Sequence, residues 1–215
     1  MAAKAAAIGC RAHSGWAALV IVAGGVDAPK ILDRRRIVIA DPKLPGSKQP
    51  YHAAEKLPFP QAEQLVTRCT ERSRALARQE LRAAVELARS GGHEVASCGI
   101  LLASGRPLPD LAATLASHAL IHTAEGELYR NVIADAIREM NLPVTGVKER
   151  ELLARASAEL RKSETELQSY LLQIGRQLGP PWTQDEKYAT LAAWLALASA
   201  KAARSARSTS RHAGK

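Results

Sequence analysis

The chain has 215 residues, of which 47% are hydrophobic and 24% are charged, as expected for one globular domain with a short extension. Its longest apolar stretch, 16–23, has the length of a strand and excludes a membrane-spanning helix, while Arg11 and His13 interrupt the N-terminal apolar run and exclude a secretory signal. Three widely separated cysteines fit neither a disulfide framework nor a zinc knuckle. We therefore expect a cytoplasmic protein with reduced thiols.

The net charge of +9 is concentrated at the C-terminus. Residues 201–215 contain five basic residues and no acid, which leaves +4 for the first 200 residues. A segment of Ser, Ala and Arg cannot bury a core. We predict a single α/β domain over 1–204 and a basic, disordered tail over 205–215, and the tail is suited to weak contact with nucleic acid.

The first part of the chain predicts three consecutive strands. Apolar segments at 5–10 and 16–23 are separated by a short polar turn, and a third strand is expected at 31–40. The centre of the third strand, Asp33-Arg34-Arg35-Arg36, is strongly charged, which places that strand at a sheet edge. The segment 41–60 contains five prolines and is expected to be irregular.

Strands alternate with helices in the rest of the chain. Further strands are predicted at 95–103 and 143–148, each preceded by a helix. The expected fold is a mixed five-stranded sheet, an antiparallel meander followed by helix-connected parallel strands, with helices on both faces. The predicted helices cover 61–90, 110–141 with a bend at Gly126, 149–161, 163–178 and a last helix from Thr183 to about Arg204.

This order of elements resembles the ribonuclease-H-like superfamily. Residues 8–17, Ile-Gly-Cys-Arg-Ala-His-Ser-Gly-Trp-Ala, are similar to the first hairpin of Holliday-junction resolvases and their relatives. In those proteins a strand ends in Gly-x-Asp, turns, and resumes with a Gly and an aromatic residue. The Ala- and Leu-rich last helix, which is entered through Asp185 and Glu186, is similar as well. The resemblance implies a ribonuclease-H-like fold and association with nucleic acid.

Most of the carboxylates on which nuclease activity in that superfamily depends are missing from this sequence. Members that cleave nucleic acid hold divalent metal ions with several carboxylates. The place of the first-strand Asp falls at Cys10 or Arg11, and the fourth strand ends Leu-Leu-Ala-Ser over 101–104 without an acid. Only Asp185 or Glu186 could match the last-helix acid, and both also suit a capping box that begins at Thr183. The resemblance therefore implies a protein without a complete two-metal nuclease site.

A polar stripe on the 110–141 helix is the first candidate site. At 100° per residue His118, His122, Glu125 and Tyr129 share one face, in the direction that apolar residues occupy later in the helix. Buried His and Glu residues need partners, which makes the stripe a candidate for acid–base catalysis by His118, His122 and Glu125, with Tyr129 binding a ligand. A structural hydrogen-bond network is the alternative. Metal binding is a further alternative, because His118, His122 and Glu125 could supply three ligands from one helix face. Since no further ligand is evident, the sequence assigns no metal and no cofactor.

The second candidate site is the turn of the first hairpin. Arg11, His13 and Ser14 lie between two apolar strands, where Arg11 and His13 could bind an anion and Ser14 could contribute a hydroxyl, or where all three form a plain polar turn. The sequence therefore supports two functional hypotheses. The first is a nucleic-acid-associated ribonuclease-H-like protein, and the second is a hydrolase or transferase whose pocket joins this turn to the His118-His122-Glu125 stripe.

Overall fold

The computed structural model describes the backbone of residues 3–25, 27–103 and 107–212, with side chains described through residue 205. The described residues form a five-stranded sheet of β1 (Lys4–His13), β2 (Trp16–Gly24), β3 (Pro29–Val38), β4 (His93–Leu102) and β5 (Val144–Lys148). The strand order is β3-β2-β1-β4-β5. β2 pairs antiparallel with β1 and β3, whereas β4 pairs parallel with β1 and β5.

This topology confirms the fold predicted from the sequence, since an antiparallel meander is followed by parallel strands that helices connect. The charged third strand lies at the sheet edge, as predicted. Within it, Arg35 donates to the carboxylate of Asp33 at 2.5 Å, because residues two apart along a strand point to the same face. An edge strand can keep such a pair in contact with water.

The described part of the chain also contains seven α-helices and a 3-10 turn over Glu149–Glu151. The helices are α1 (Pro50–Ala54), α2 (Phe59–Ser90), α3 (Leu111–Leu115), α4 (His118–Glu139), α5 (Leu152–Leu160), α6 (Glu164–Leu178) and α7 (Gln184–His212). α2 and α4 cover one face of the sheet, and α7 covers the opposite face with α5 and α6 packed beside it. None of the described helices combines the length and apolarity needed to cross a bilayer.

Two glycines allow α7 to lie directly against the sheet. A Cβ atom at Gly9 in β1 would lie 1.9 Å from the carbonyl oxygen of Ala189, and one at Gly99 in β4 would lie 2.0 Å from that of Ala192. Backbone atoms at the centre of a close-packed layer have little room to move away. The close approach fixes the N-terminus of α7 beside the end of β1, where Arg11 lies.

The segment 41–60, predicted to be irregular, contains the short helix α1. Pro50 begins this helix, a position that suits a residue without an amide hydrogen and with a fixed helical φ. Five residues are too few to show an amphipathic period, and α1 is instead held by burial of Ala54 against Ala62 and Val66 of α2. Tertiary contacts, which the local pattern does not contain, therefore stabilise it.

The region 110–141 is two helices and not one helix bent at Gly126. The side chain of Asp110 caps α3 by accepting a hydrogen bond from the amide of Ala113 at 2.8 Å. Ser117 is extended and separates α3 from α4. Gly126 lies inside α4, where an added Cβ would be 2.7 Å from a guanidinium nitrogen of Arg130. The glycine therefore makes room for a side chain and does not bend the helix.

The last helix continues to His212, beyond its predicted end near Arg204. Ala and Arg are strong helix formers, so a segment that cannot build a core can still extend a helix. The helix includes residues 205–212, and residues 213–215 lie outside the described residues. The division into a domain over 1–204 and a separate tail stays a prediction.

Candidate functional site

The end of the first hairpin brings two basic side chains to the sheet face that α7 covers. Arg11 and His13 follow Gly9 at two-residue spacing in β1, so all three point to the same face of the sheet. This is the face against which α7 packs at Gly9. The guanidinium of Arg11 donates to Glu149 at 3.2 and 2.7 Å and also to Asp185. Nε2 of His13 lies 2.8 Å from Oδ1 of Asp185. We call Arg11, His13, Glu149 and Asp185 the hairpin cluster.

The two acids of the hairpin cluster come from elements that meet at one edge of the sheet. Glu149 opens the 3-10 turn that follows β5, and Asp185 lies in the first turn of α7. The carboxyl ends of the parallel strands β1, β4 and β5 lie at this edge, which is where open α/β sheets commonly bind ligands. The hairpin cluster therefore occupies the position in the fold best suited to a site.

The acids at the start of α7 have different roles. The carboxylate of Glu186 accepts hydrogen bonds from the amide and hydroxyl of Thr183, at 2.7 and 2.6 Å, as the capping-box pattern predicted. Asp185 instead binds Arg11 and His13. The capping interpretation is thus correct for Glu186 and incomplete for Asp185, whose carboxylate points to the hairpin.

Charge pairing dominates the electrostatics of the hairpin cluster. Burial would raise the pKa of Asp185, but hydrogen bonds and charge from His13 and Arg11 outweigh it and hold that pKa below its ordinary value. Burial would lower the pKa of Arg11, but Glu149 and Asp185 raise it above its ordinary value. Both acids are therefore paired with a permanent cation.

Aromatic rings extend the hairpin cluster toward β3. His13 stacks on Trp16 with ring centroids 4.2 Å apart, and the guanidinium of Arg36 lies 3.9 Å from the centre of the Trp16 ring. Ser14, the third residue of the predicted turn site, lies in the turn between β1 and β2. The half-buried ring of Trp16 thus contacts both His13 and Arg36, and Arg36 places a positive charge beside the ring.

Arg130 of α4 adds positive charge beside Glu149. Its guanidinium contacts Gly126, and Glu127 and Glu149 both act on it electrostatically. Burial lowers the pKa of Arg130 although the two acids oppose that effect. An arginine stays charged throughout the accessible pH range. Glu149 therefore faces positive charge from both Arg11 and Arg130.

The polar stripe of α4 forms a second group of side chains. His118 and His122 are exposed, with their Nε2 atoms 3.1 Å apart, and Glu125 is buried with 3% of its surface exposed. All three contact His52 of α1, through ring contacts from the two histidines and a 3.2 Å contact from Oε1 of Glu125 to Nδ1 of His52. This shared partner confirms that the three residues lie on one face of α4.

Glu125 holds the start of α1 against α4. Its Oε1 accepts hydrogen bonds from the backbone amides of Tyr51 and His52 at 2.8 and 3.0 Å. Burial raises the pKa of Glu125 above its ordinary value, although the bonds from His52 and Tyr51 oppose the rise. One turn further along α4, the buried hydroxyl of Tyr129 donates to the carbonyl of Ser47. Burial raises the pKa of Tyr129, so this hydroxyl keeps its proton.

The two predicted candidate sites do not combine into one pocket. Arg11 and His13 face α7, whereas α4 packs on the opposite face of the sheet, against Ile8 and Cys10. Within the described residues, no hydrogen bond, ion pair or ring contact joins Arg11 or His13 to the α4 stripe. The expectation that the stripe points toward the hairpin is therefore wrong, because period-two alternation places the hairpin side chains on the other face.

Two of the residues that complete these groups, His52 and Glu149, were not among the predicted site residues. His52 stands in the proline-rich segment, and Glu149 follows a short strand in a charged run, so neither lies on a pattern that marks a site. Glu149 could have been found from the predicted sheet order, because residues that follow parallel strands meet at one edge. His52 had no such signal, since α1 lies against α4 through tertiary contacts alone.

The fold is similar to that of solved structures, although no family model and no curated protein matches the sequence. Thermus thermophilus RuvC matches with a TM-score of 0.51 and 13% identity, over 92% of this chain and 96% of that chain. T. thermophilus RuvC in complex with a Holliday junction substrate matches with a TM-score of 0.52 and 9% identity, over 88% and 90%. The chain therefore has a ribonuclease-H-like fold of the RuvC type, as the hairpin resemblance predicted.

Proposed function

We propose that this chain binds nucleic acid through its ribonuclease-H-like fold and does not cleave it by two-metal chemistry. The observation that carries the proposal is the pairing of Arg11 with Glu149 and Asp185 at the carboxyl edge of the sheet. The resemblance implies metal-binding carboxylates at this edge. In this chain a guanidinium stands there and forms ion pairs with two acids.

The donor set of the hairpin cluster does not fit a pair of divalent ions. Such ions need several carboxylates free to coordinate them, and here Arg11 binds both Glu149 and Asp185. Cys10, the other residue at the position of the first-strand acid, is fully buried on the opposite face. A second cation, Arg130, acts on Glu149 and adds to the repulsion that a metal ion would meet.

Nucleic acid is favoured as the partner by charge and by shape. The chain carries a net charge of +9, which attracts polyanions. Arg36, held over the Trp16 ring, supplies a cation close to the hairpin cluster that can contact a phosphate. One structural relative is RuvC in complex with a Holliday junction, and this chain covers most of its length. These features support binding of branched or duplex DNA at the carboxyl edge.

Fluorescence anisotropy with a labelled four-way junction, a duplex and a single strand of equal length tests the binding. We expect measurable affinity that weakens steeply between 50 and 200 mM salt, since phosphate contacts release counterions. The same substrates incubated with Mg²⁺ or Mn²⁺ are expected to remain intact. Absence of binding to all three substrates at low salt contradicts the first half of the proposal.

A matched variant tests the second half. Asp185→Asn removes the acid of α7 that the resemblance matches to the family's last-helix acid. If wild-type protein cleaves the junction with Mg²⁺ and Asp185→Asn abolishes that cleavage, the chain is a metal-dependent nuclease and the proposal is wrong. Trace cleavage that Asp185→Asn leaves unchanged comes from a contaminant and agrees with the proposal.

A further inference from the structure

Three histidines converge on the surface formed by α1 and α4, away from the hairpin cluster. Each of His52, His118 and His122 offers a ring nitrogen, and these three atoms all lie within 4.8 Å of one another. The ring centroids are 5.6, 4.7 and 4.6 Å apart for the pairs 52–118, 52–122 and 118–122. The rings meet edge to face and are not stacked.

The spacing of the His118 and His122 nitrogens is close to that of two ligands of one transition-metal ion. Zinc–nitrogen bonds of about 2.0–2.1 Å at tetrahedral angles place two ligand nitrogens about 3.4 Å apart. The Nε2 atoms of His118 and His122 are 3.1 Å apart, and their four-residue spacing places both on one face of α4. His52 arrives from a separate element and supplies the third donor.

Glu125 provides the support that metal-bound histidines usually have. Oε1 of Glu125 lies 3.2 Å from Nδ1 of His52, which directs the Nδ1 proton to the carboxylate and leaves Nε2 unprotonated for a metal. A carboxylate in this position fixes the tautomer and orientation of a ligand histidine and raises its basicity. The other oxygen of Glu125 is buried and has no hydrogen-bond partner within the described residues. A cation bound to half-buried His52 would place positive charge close to this buried carboxylate.

A purely structural role explains these residues poorly. His118 is exposed over 66% of its side chain, and His122 is also exposed, so burial does not stabilise either ring. Two imidazoles with nitrogens 3.1 Å apart repel each other when both are protonated. Glu55 lies on the rim, 3.8 Å from Nδ1 of His118, and adds negative charge. The surface is thus arranged for a cation that the histidines bind together.

We propose that His52, His118 and His122 bind one divalent first-row transition-metal ion, Zn²⁺ being the ion that best fits three imidazoles. Imidazole donors favour Zn²⁺, Cu²⁺ or Ni²⁺ over Mg²⁺ and Ca²⁺, which prefer oxygen. Three protein ligands leave a fourth position that faces solvent, so water or an exogenous anion completes the site. The bound ion would also join α1 to α4, because its ligands come from both helices.

Isothermal titration of untagged, EDTA-stripped, full-length protein with ZnCl₂ tests the proposal. We expect one Zn²⁺ per chain, and we expect His52→Ala and His122→Ala each to remove this binding. His93→Ala is the matched control, because His93 begins β4 and lies outside the group, so this variant should bind one Zn²⁺ as the wild type does. Absence of stoichiometric binding by the wild type, or retention of it by both ligand variants, overturns the proposal.

Cobalt gives a second, spectroscopic readout, measured on variants that circular dichroism shows to be folded. Co²⁺ bound by three imidazoles and water gives visible d–d absorption, which we expect for the wild type and His93→Ala and not for His122→Ala. Glu125→Gln tests the positioning role of Glu125, with zinc affinity expected to fall about 10- to 100-fold and one equivalent still bound. Unchanged zinc affinity in a folded Glu125→Gln variant refutes that role. A wild-type cobalt spectrum without d–d bands refutes the site.

Discussion

The guanidinium of Arg11 and the carboxylate of Glu149 form a two-pronged ion pair, with N–O distances of 3.2 and 2.7 Å, between residues 138 apart in sequence. Bidentate pairing is the strongest geometry available to these two groups. Arg11 also donates to Asp185, so one side chain of β1 joins the turn after β5 to the start of α7. Arg11 therefore connects three elements that are distant in sequence.

Arg11→Ala should destabilise the protein by about 2 kcal/mol, because two half-buried acids lose a charge-assisted partner. Urea unfolding measures the change. The control is Arg150→Ala, since Arg150 is exposed and its only ion pair within the described residues is a 3.5 Å contact with Glu151. An exposed pair of this kind contributes less than about 1 kcal/mol. Equal losses in the two variants would show that the hairpin cluster does not stabilise the fold.

The low pKa of Asp185 should make stability depend on pH in acid. A carboxyl whose pKa is lower in the folded than in the unfolded state stabilises the fold fully above the unfolded value of about 3.9. That contribution is lost as the pH falls through the lower folded pKa. Free energies of unfolding measured from pH 6 to pH 2 should therefore fall more steeply for the wild type than for Asp185→Asn. Parallel curves for the two proteins would contradict the assignment of a lowered pKa.

The local sequence pattern was sufficient to predict the strands of the sheet, but it was insufficient to predict which residues meet at the site. Alternating apolar strands and glycine turns predicted all five strands, since each strand must bury its own residues. The direction in which the α4 stripe points depends on which face of the sheet the helix covers, and no local pattern contains that information. The residue types at 11 and 13 were correctly singled out, while their partners at 149 and 185 come from the far end of the chain.

The same limit applies to the three-histidine group. The sequence indicated that His118, His122 and Glu125 could supply three metal ligands from one face of α4, and a further ligand was needed before a metal could be assigned. The structure instead groups His118 and His122 with His52. His52 lies in a segment that was predicted to be irregular because of its prolines but that contains a five-residue helix. His52 comes close to His118 and His122 only because α1 packs against α2 and α4. Sequence spacing therefore cannot reveal a site whose residues come from distant segments, even when His118 and His122 are recognised.

Gly99→Ala should destabilise the fold by about 3 kcal/mol or more, because the new Cβ would lie 2.0 Å from the carbonyl oxygen of Ala192 and α7 must move away from β4. Thermal unfolding by circular dichroism measures the loss. Gly25→Ala is the matched control, since the nearest atom to an added Cβ there is 3.9 Å away, and its effect should stay within about 0.5 kcal/mol. A Gly99→Ala protein as stable as the control would mean that α7 does not pack this closely.

Removal of residues 205–215 should weaken nucleic-acid binding without changing its preference among substrates. The segment carries Arg207, Arg211 and Lys215, and each phosphate contact contributes a slope of about −0.9 to the dependence of log K on log salt. The slope should therefore become shallower by up to roughly 3. A full-length variant with Gln at these three positions separates charge from helix length and should bind as the truncated protein does. Anisotropy titrations of a junction and a duplex at four salt concentrations measure both quantities. An unchanged slope would place the contacts on the folded domain, and a loss confined to the junction would mean that the tail recognises branched structure.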